Sequence, residues 1–160
     1  MKQITLIFLL LVLVACGKPD NEAVLGGWKF KEMYQDGKLV STVDKAKQEK
    51  LIDSIIEVQG AMFEQQGMSK DFIRQQIKMG FDQVAKVTFL FDKKELKFEV
   101  PENKEKISIG TYKLNDKTKK MTFDEKKDPF FSGDLTYELT DDQLILKSAK
   151  EKMVLTRKTK

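Results

Sequence analysis

The hydrophobic period of this chain changes at Lys86, and that change constrains the fold more than any other feature. Beyond it apolar residues alternate with polar ones: Val87-Phe89-Phe91, Leu96-Phe98-Val100, Ile107 to Leu114, Met121 to Phe123, Leu135 to Leu139, Leu144 to Leu146 and Met153 to Lys158. Alternation sends successive side chains to opposite faces, so each run is read as a strand with one apolar face. The turns between them include Asp92-Lys93-Lys94, Asn115-Asp116-Lys117 and Thr140-Asp141-Asp142. Runs spaced about ten residues apart, with no helix between them, predict an antiparallel meander of neighbouring strands.

A further strand is predicted over 27–34, where Trp28, Phe30 and Tyr34 share one parity and Lys29 and Lys31 the other. Asp36-Gly37 then reads as a tight hairpin turn into Leu39-Val40. From Ser41 the period is helical: Ile52, Ile55, Ile56, Met62 and Phe63 recur up to Gly67, and Ser69 opens a second run through Phe72, Ile73, Ile77, Phe81 and Val84. Ser41-x-x-Asp44 and Ser69 are candidate caps, Gly67 is a C-terminal stop, and Gly60 and Gly80 are weak points. Residues 44–85 are therefore a predicted helical hairpin with one apolar side.

About eight strands with one apolar parity each can form a two-sheet sandwich or a closed barrel, and closure removes exposed edges. In the run from Ile107 to Leu114, Ile107 and Ile109 share one parity while Tyr112 and Leu114 share the other. A bulge or kink near Gly110 reconciles them, as curling sheets require. The predicted fold is mainly β: an antiparallel up-and-down β-barrel of about eight strands with a two-helix insertion after the first strand.

The N-terminus adds an address. Met1-Lys2-Gln3 precedes an apolar run from Ile4 to Val14 that is too short to span a bilayer. It ends at Leu13-Val14-Ala15-Cys16, which resembles the lipobox of bacterial lipoproteins. That resemblance implies cleavage before Cys16 and acylation of Cys16, with 1–15 as signal peptide and the membrane as a partner through the anchor. Acyl chains contribute roughly 0.8 kcal/mol per buried methylene, so two or three hold a protein at a membrane durably. Gly17 stands where an aspartate retains some such proteins at the inner membrane, which favours the outer membrane of a cell envelope. Residues 16–24 read as a polar tether and 25–160 as the barrel domain.

Composition then removes function classes. The chain holds 160 residues with no histidine and one cysteine, Cys16, so a histidine-activated nucleophile, a disulfide and a His/Cys zinc site are excluded. The basic residues are nearly all lysine, scattered among acids, with a net charge of +4; this reads as a solubilising surface rather than a nucleic-acid interface. The acidic pairs Asp141-Asp142 and Asp124-Glu125 lie in predicted turns, and Asp124, Asp128 and Asp134 lack the loop pattern of a known calcium site. No catalytic residue, metal site or cofactor is predicted.

Gly26-Gly27-Trp28 resembles the Gly-x-Trp signature of lipocalins, placed at the start of the first barrel strand. The family's other mark is a basic residue of the last strand packed across the tryptophan face at the closed end. Of the two arginines, Arg74 and Arg157, the latter lies in the last strand and shares parity with Met153 and Leu155. A planar, weakly hydrated guanidinium suits stacking on indole. The resemblance, to lipocalin-like bacterial lipoproteins of the wider calycin superfamily, covers 24–158 and implies a barrel-closing stack of Gly26, Trp28 and Arg157. The chain departs from lipocalins in its helical hairpin, which is similar in placement to that of intracellular fatty-acid-binding proteins, and in having no helix after the last strand.

Two function classes follow. In the first, the barrel binds a small hydrophobic or amphipathic ligand, with Phe30, Phe89, Phe98, Tyr112 and Tyr137 as lining candidates and the hairpin as lid. Glu32 joins them because, on a regular strand, its parity with Trp28 and Phe30 points it inward, where a carboxylate needs a partner; the alternative is that a bulge or the strand end returns it to water, or that a lysine satisfies it. In the second, side chains fill the barrel and the protein is a non-enzymatic envelope scaffold whose hairpin contacts another envelope protein, its Gln65, Gln66, Gln75 and Gln76 and its methionines making an adaptable surface.

Overall fold

In a computed structural model, which describes residues 19–99, 104–124 and 133–159, the first structured piece is a single helical turn, α1 (Asp20–Ala23), followed by β1 (Gly26–Gln35) and β2 (Lys38–Thr42). The helical hairpin α2 (Lys45–Gln65) and α3 (Lys70–Lys86) precedes β3 (Thr88–Phe91), β4 (Glu95–Glu99) and β5 (Lys106–Asn115). The chain ends with β6 (Lys120–Asp124), β7 (Gly133–Leu139), β8 (Gln143–Lys147) and β9 (Glu151–Arg157). All pairings are antiparallel; from β3 each strand pairs with the next, and β9 returns to β1. The ring of β1 and β3 to β9 is a closed eight-stranded barrel, with β2 as an extra strand on β1.

Local chemistry explains each joint. Asp36 (φ 48°) and Gly37 (φ 76°) turn β1 into β2 with Gln35 paired to Lys38, the two-residue turn whose positive φ values match strand twist. The Asp44 carboxylate, not Ser41, caps α2 by accepting from the Lys47 amide at 3.0 Å, and Ser69 Oγ caps α3 by accepting from Phe72 N at 3.2 Å. At the end of α2, Gly67 takes φ 79° while its amide donates to Glu64 O and that of Met68 to Phe63 O. This paired closure satisfies carbonyls that a helix end leaves open.

The hairpin grows out of one point in the barrel wall. Thr42, ending β2, pairs with Glu32, and Thr88, starting β3, pairs with Lys29. β2 and β3 therefore follow one another along the same edge of β1, and the helices occupy the gap between them. They rest on β1 and β2. At 1.5 Å per residue α2 runs about 31 Å, roughly twice the five-residue β2 beneath it, so its far half overhangs the wall. Gln48 and Ile52, near the root, are buried; Val58 and Met62, further out, are exposed.

Two bulges shape the wall. Between β4 and β5 the register shifts opposite Gly110, so that Ile109 joins Tyr112 in the core despite its opposite parity. A Cβ on Gly110 would lie 3.1 Å from the Asp124 carbonyl oxygen, which explains the glycine. The second shift lies on β1 between Phe30 and Glu32, where Phe30 pairs with Leu155 and Glu32 with Val154.

Candidate functional site

The barrel has a floor and a mouth. At the floor, Gly26 (φ 115°) turns the chain into β1 and Trp28 is fully buried, its indole donating to Val24 O at 2.7 Å. Arg157, paired with Trp28 across β1 and β9, sets its guanidinium carbon 4.2 Å from the indole ring centre. Its nitrogens donate to Asp141 O at 2.7 Å, Ala23 O at 2.5 Å and Leu25 O at 3.3 Å. One side chain therefore ties the lead-in, the last strand and the β7–β8 turn together.

The lead-in is more than a tether. Residues from Pro19 onward form α1, and Val24 is fully buried in the barrel core. Asp20 accepts from Tyr137 Oη at 2.7 Å and pairs with Lys119, while Tyr137 also reaches Asp116 at 3.2 Å. Burial alone raises the Asp20 carboxyl, but the hydrogen bonds from Lys119 and Tyr137 outweigh it and hold the pKa below its usual value. Burial, and then the neighbouring Asp20, push the Tyr137 phenol far up. The sequence carried a signal for this: Pro19 followed by Asp20 and Glu22 is a helix start, with acids in the first turn.

Inward side chains are buried along most of the barrel, Leu146 and Met153 beside the β8–β9 turn included. Trp28, Leu96, Met121 and Leu144 are fully buried, and Phe30, Phe123 and Tyr112 nearly so. Towards the mouth, Phe89 and Phe98 face each other across β3 and β4, pack on the core and are only half-buried, and Ile107, paired with Phe98, is 39% exposed. Tyr112 stands edge-on to Phe91 at 5.3 Å and donates to Asp92 O at 2.6 Å, and burial pushes its phenol up to about 12. Both barrel tyrosine hydroxyls are thus committed to the floor. Phe30 belongs to the buried core, and Phe98 is only partly buried against it.

Glu32 does not face inward. With one extra residue at Lys31, the strand reverses parity: Met33 pairs with the core residue Met153, while Glu32 pairs with Val154, which lies outside the core cluster. Tyr34 turns outward with it. On the outer face Glu32 is met by Lys47 Nζ at 2.6 Å and Tyr34 Oη at 2.8 Å. The Lys47 hydrogen bond, opposed by burial and aided by Tyr34, holds its carboxyl below the usual value. The carboxylate clamps the hairpin root to the wall and is satisfied there. The three-residue step from Phe30 to Met33, both apolar, was the visible sign of the bulge.

The chain matches no family model, no curated protein and no solved structure. Cys16, residues 1–15 expected as a signal peptide, Val100, Glu125 and Asp128 lie outside the described residues. Asp141 and Asp142 sit in the β7–β8 turn, and no cluster of acids fit to hold a metal occurs among the described residues. Among those residues no helix is long and apolar enough to cross a membrane.

Proposed function

We propose that the protein is a lipid-anchored, non-enzymatic, lipocalin-like binding module that holds one small apolar ligand, or the apolar end of an amphiphile, in the mouth of its barrel. The half-burial of Phe89 and Phe98, inward-facing in the barrel wall, carries this reading. The reading calls for a shallow cup bordered by β3 and β4, suited to a short apolar moiety rather than a long chain. The hairpin, rooted on the outer wall of β1 and β2, packs beside the barrel instead of lidding it. Anchoring at Cys16 in a cell envelope fits α1, which brings the described chain to the floor, so the mouth faces away from the lipid.

The test is titration with a fluorescent fatty-acid analogue, alongside native mass spectrometry of protein from its own cells. Phe98→Ala and Phe89→Ala are expected to weaken probe binding by about tenfold, as loss of a buried aromatic contact implies, while Glu32→Gln leaves it unchanged. Wild-type affinity in both phenylalanine variants would sink the reading. The mass spectrum also reports acyl chains on Cys16, which Cys16→Ser is expected to remove.

A second reading is favoured by a separate observation: Val58, Met62, Phe72 and Met79 on the hairpin are about half exposed or more. An envelope protein covering them would make the barrel a scaffold. Loss of a cross-linked partner in Met62→Glu, with probe binding intact, supports that role.

A further inference from the structure

Two grooves flank α1 at the barrel floor, and they differ in charge. One, of about 590 Å³, is lined by Asp20, Glu22, Asp141 and Arg157. Its one cation is spent, because the Arg157 nitrogens all donate to main-chain carbonyls. The other, of about 410 Å³, is lined by Lys93, Lys94 and Lys113 with Asn21, Tyr112 and Leu114, and by no carboxylate. Lys93 and Lys94 come from the β3–β4 turn and Lys113 from β5, so the fold brings three lysines from two segments to the lining of one concavity.

We infer that this second groove binds an anionic, phosphate-bearing amphiphile. The neighbouring carboxylate, Asp92, accepts from the Lys93 amide and lies 3.9 Å from Lys97. No ion pair engages Lys93, Lys94 or Lys113 among the described residues, whereas Lys119 across the floor is committed to Asp20. Three like charges held together repel until an anion joins them, and a phosphate accepts from several lysines at once. Leu114, partly buried, and Tyr112, whose hydroxyl is turned to Asp92 O, are the apolar residues of the lining. Cations above an apolar bed match a headgroup with its first methylenes, and the volume lies in the range of small-ligand pockets. The site lies at the β3–β4 turn, away from the Phe89–Phe98 pair further along those strands, and stands independently of the reading given to them.

The experiment titrates the full-length chain, followed by amide chemical shifts, with dihexanoyl phosphatidylglycerol, dihexanoyl phosphatidylcholine and inorganic phosphate. The phosphatidylglycerol is expected to shift Lys94, Lys113 and Leu114 and to bind about tenfold tighter than either of the others. The Lys93→Gln/Lys94→Gln/Lys113→Gln variant is expected to lose affinity on the order of a hundredfold, about fivefold per lysine. Lys150→Gln, at the mouth, keeps it. Equal affinity in the triple variant, or equal binding of the phosphatidylcholine, overturns the site; inorganic phosphate binding as tightly as the lipid overturns its amphiphile character. Vesicles of phosphatidylcholine with and without phosphatidylglycerol identify the source. Lysine-dependent recruitment to the anionic vesicles places the ligand in a membrane, and binding of the soluble lipid alone makes it a free amphiphile.

Discussion

The barrel and the hairpin spend similar side chains to different effect. The barrel buries Trp28, Leu96, Met121, Leu144 and Leu155 completely, whereas the buried apolar side chains of the hairpin are Ile52 and Ile73. A closed ring surrounds each inward residue with strands on every side. The hairpin has one wall behind it, half its own length, and holds its two helices with ion pairs such as Arg74 to Glu49 and Asp53 and Lys45 to Asp82. Such exposed pairs contribute little each. Barrel stability should therefore come from packing, and the hairpin should open first.

The largest expected effect tests that directly. Trp28→Ala removes a fully buried indole and its bond to Val24 and should cost about 3–5 kcal/mol in denaturant unfolding. Ile52→Ala should instead speed amide exchange in α2 and α3 while leaving barrel protection near wild type. Equal loss of barrel protection in both variants would make barrel and hairpin a single cooperative unit.

Arg157 comes next. Arg157→Met keeps an apolar stem over Trp28 but leaves the Ala23, Leu25 and Asp141 carbonyls without their donor, at a cost of about 2–3 kcal/mol. Arg157→Lys should recover less than half, because an ammonium cannot stack as a plane while reaching three separated carbonyls. Thermal melts of the two variants decide it. Full rescue by lysine would mean that charge, not shape, closes the floor.

Gly110→Ala sharpens the contrast within the barrel. The new Cβ meets the Asp124 main-chain oxygen at 3.1 Å, and a sheet wall yields less than a flexible side chain, so the expected cost is about 1–3 kcal/mol. Gly80→Ala, on the open hairpin with nothing near its Cβ, should stabilise by up to about 1 kcal/mol.

These sites also show how far the sequence could be read. Alternation marked the strands from β3 to β9, most cleanly β6 and β8 with one buried and one wetter face, whereas β9 buries Met153, Val154 and Leu155 in a row; the turn and cap residues marked the hairpin. The Trp28 and Arg157 pairing was open to reading because both share parity with core residues on strands at opposite ends of the chain. For Glu32 parity counting on a regular strand pointed inward, and the alternative of a bulge with a lysine partner is the one the structure holds, at Lys31 and Lys47; parity alone could not choose, because the bulge needs no glycine to announce it. Asp20 was passed over because a four-residue helix has too few residues to show a period; its meaning comes from Tyr137 and Lys119, both distant in sequence.

The clamp between the regions is titratable. Glu32 has a depressed pKa in the folded chain, so its contribution is fully present above the ordinary glutamate value of 4.5 and is lost as pH falls through the lower folded value. Glu32→Gln should flatten the acid limb of the stability curve there, and hydrogen exchange should show the change first in α2. Lys47 is half exposed, so solvent screening keeps the effect below about 1 kcal/mol. An unchanged acid limb would leave Thr42 and Gln48 as the main fastening of the hairpin root.

The smallest expected effect is the most informative about the hairpin. Val58 is 78% and Phe72 48% exposed, so Val58→Glu and Phe72→Glu remove little buried contact and should change stability by less than about 0.5 kcal/mol. Replacing a half-buried barrel phenylalanine in the same way, Phe98→Glu, puts a charge against the apolar core and should cost several times more. If Phe72→Glu nevertheless destabilises by more than about 1 kcal/mol, its ring is covered in solution, and sedimentation of the two proteins shows whether a second molecule supplies the cover. A stable, unchanged monomer instead leaves this apolar surface uncovered, as a free face of the kind that a partner, rather than the barrel, has reason to maintain.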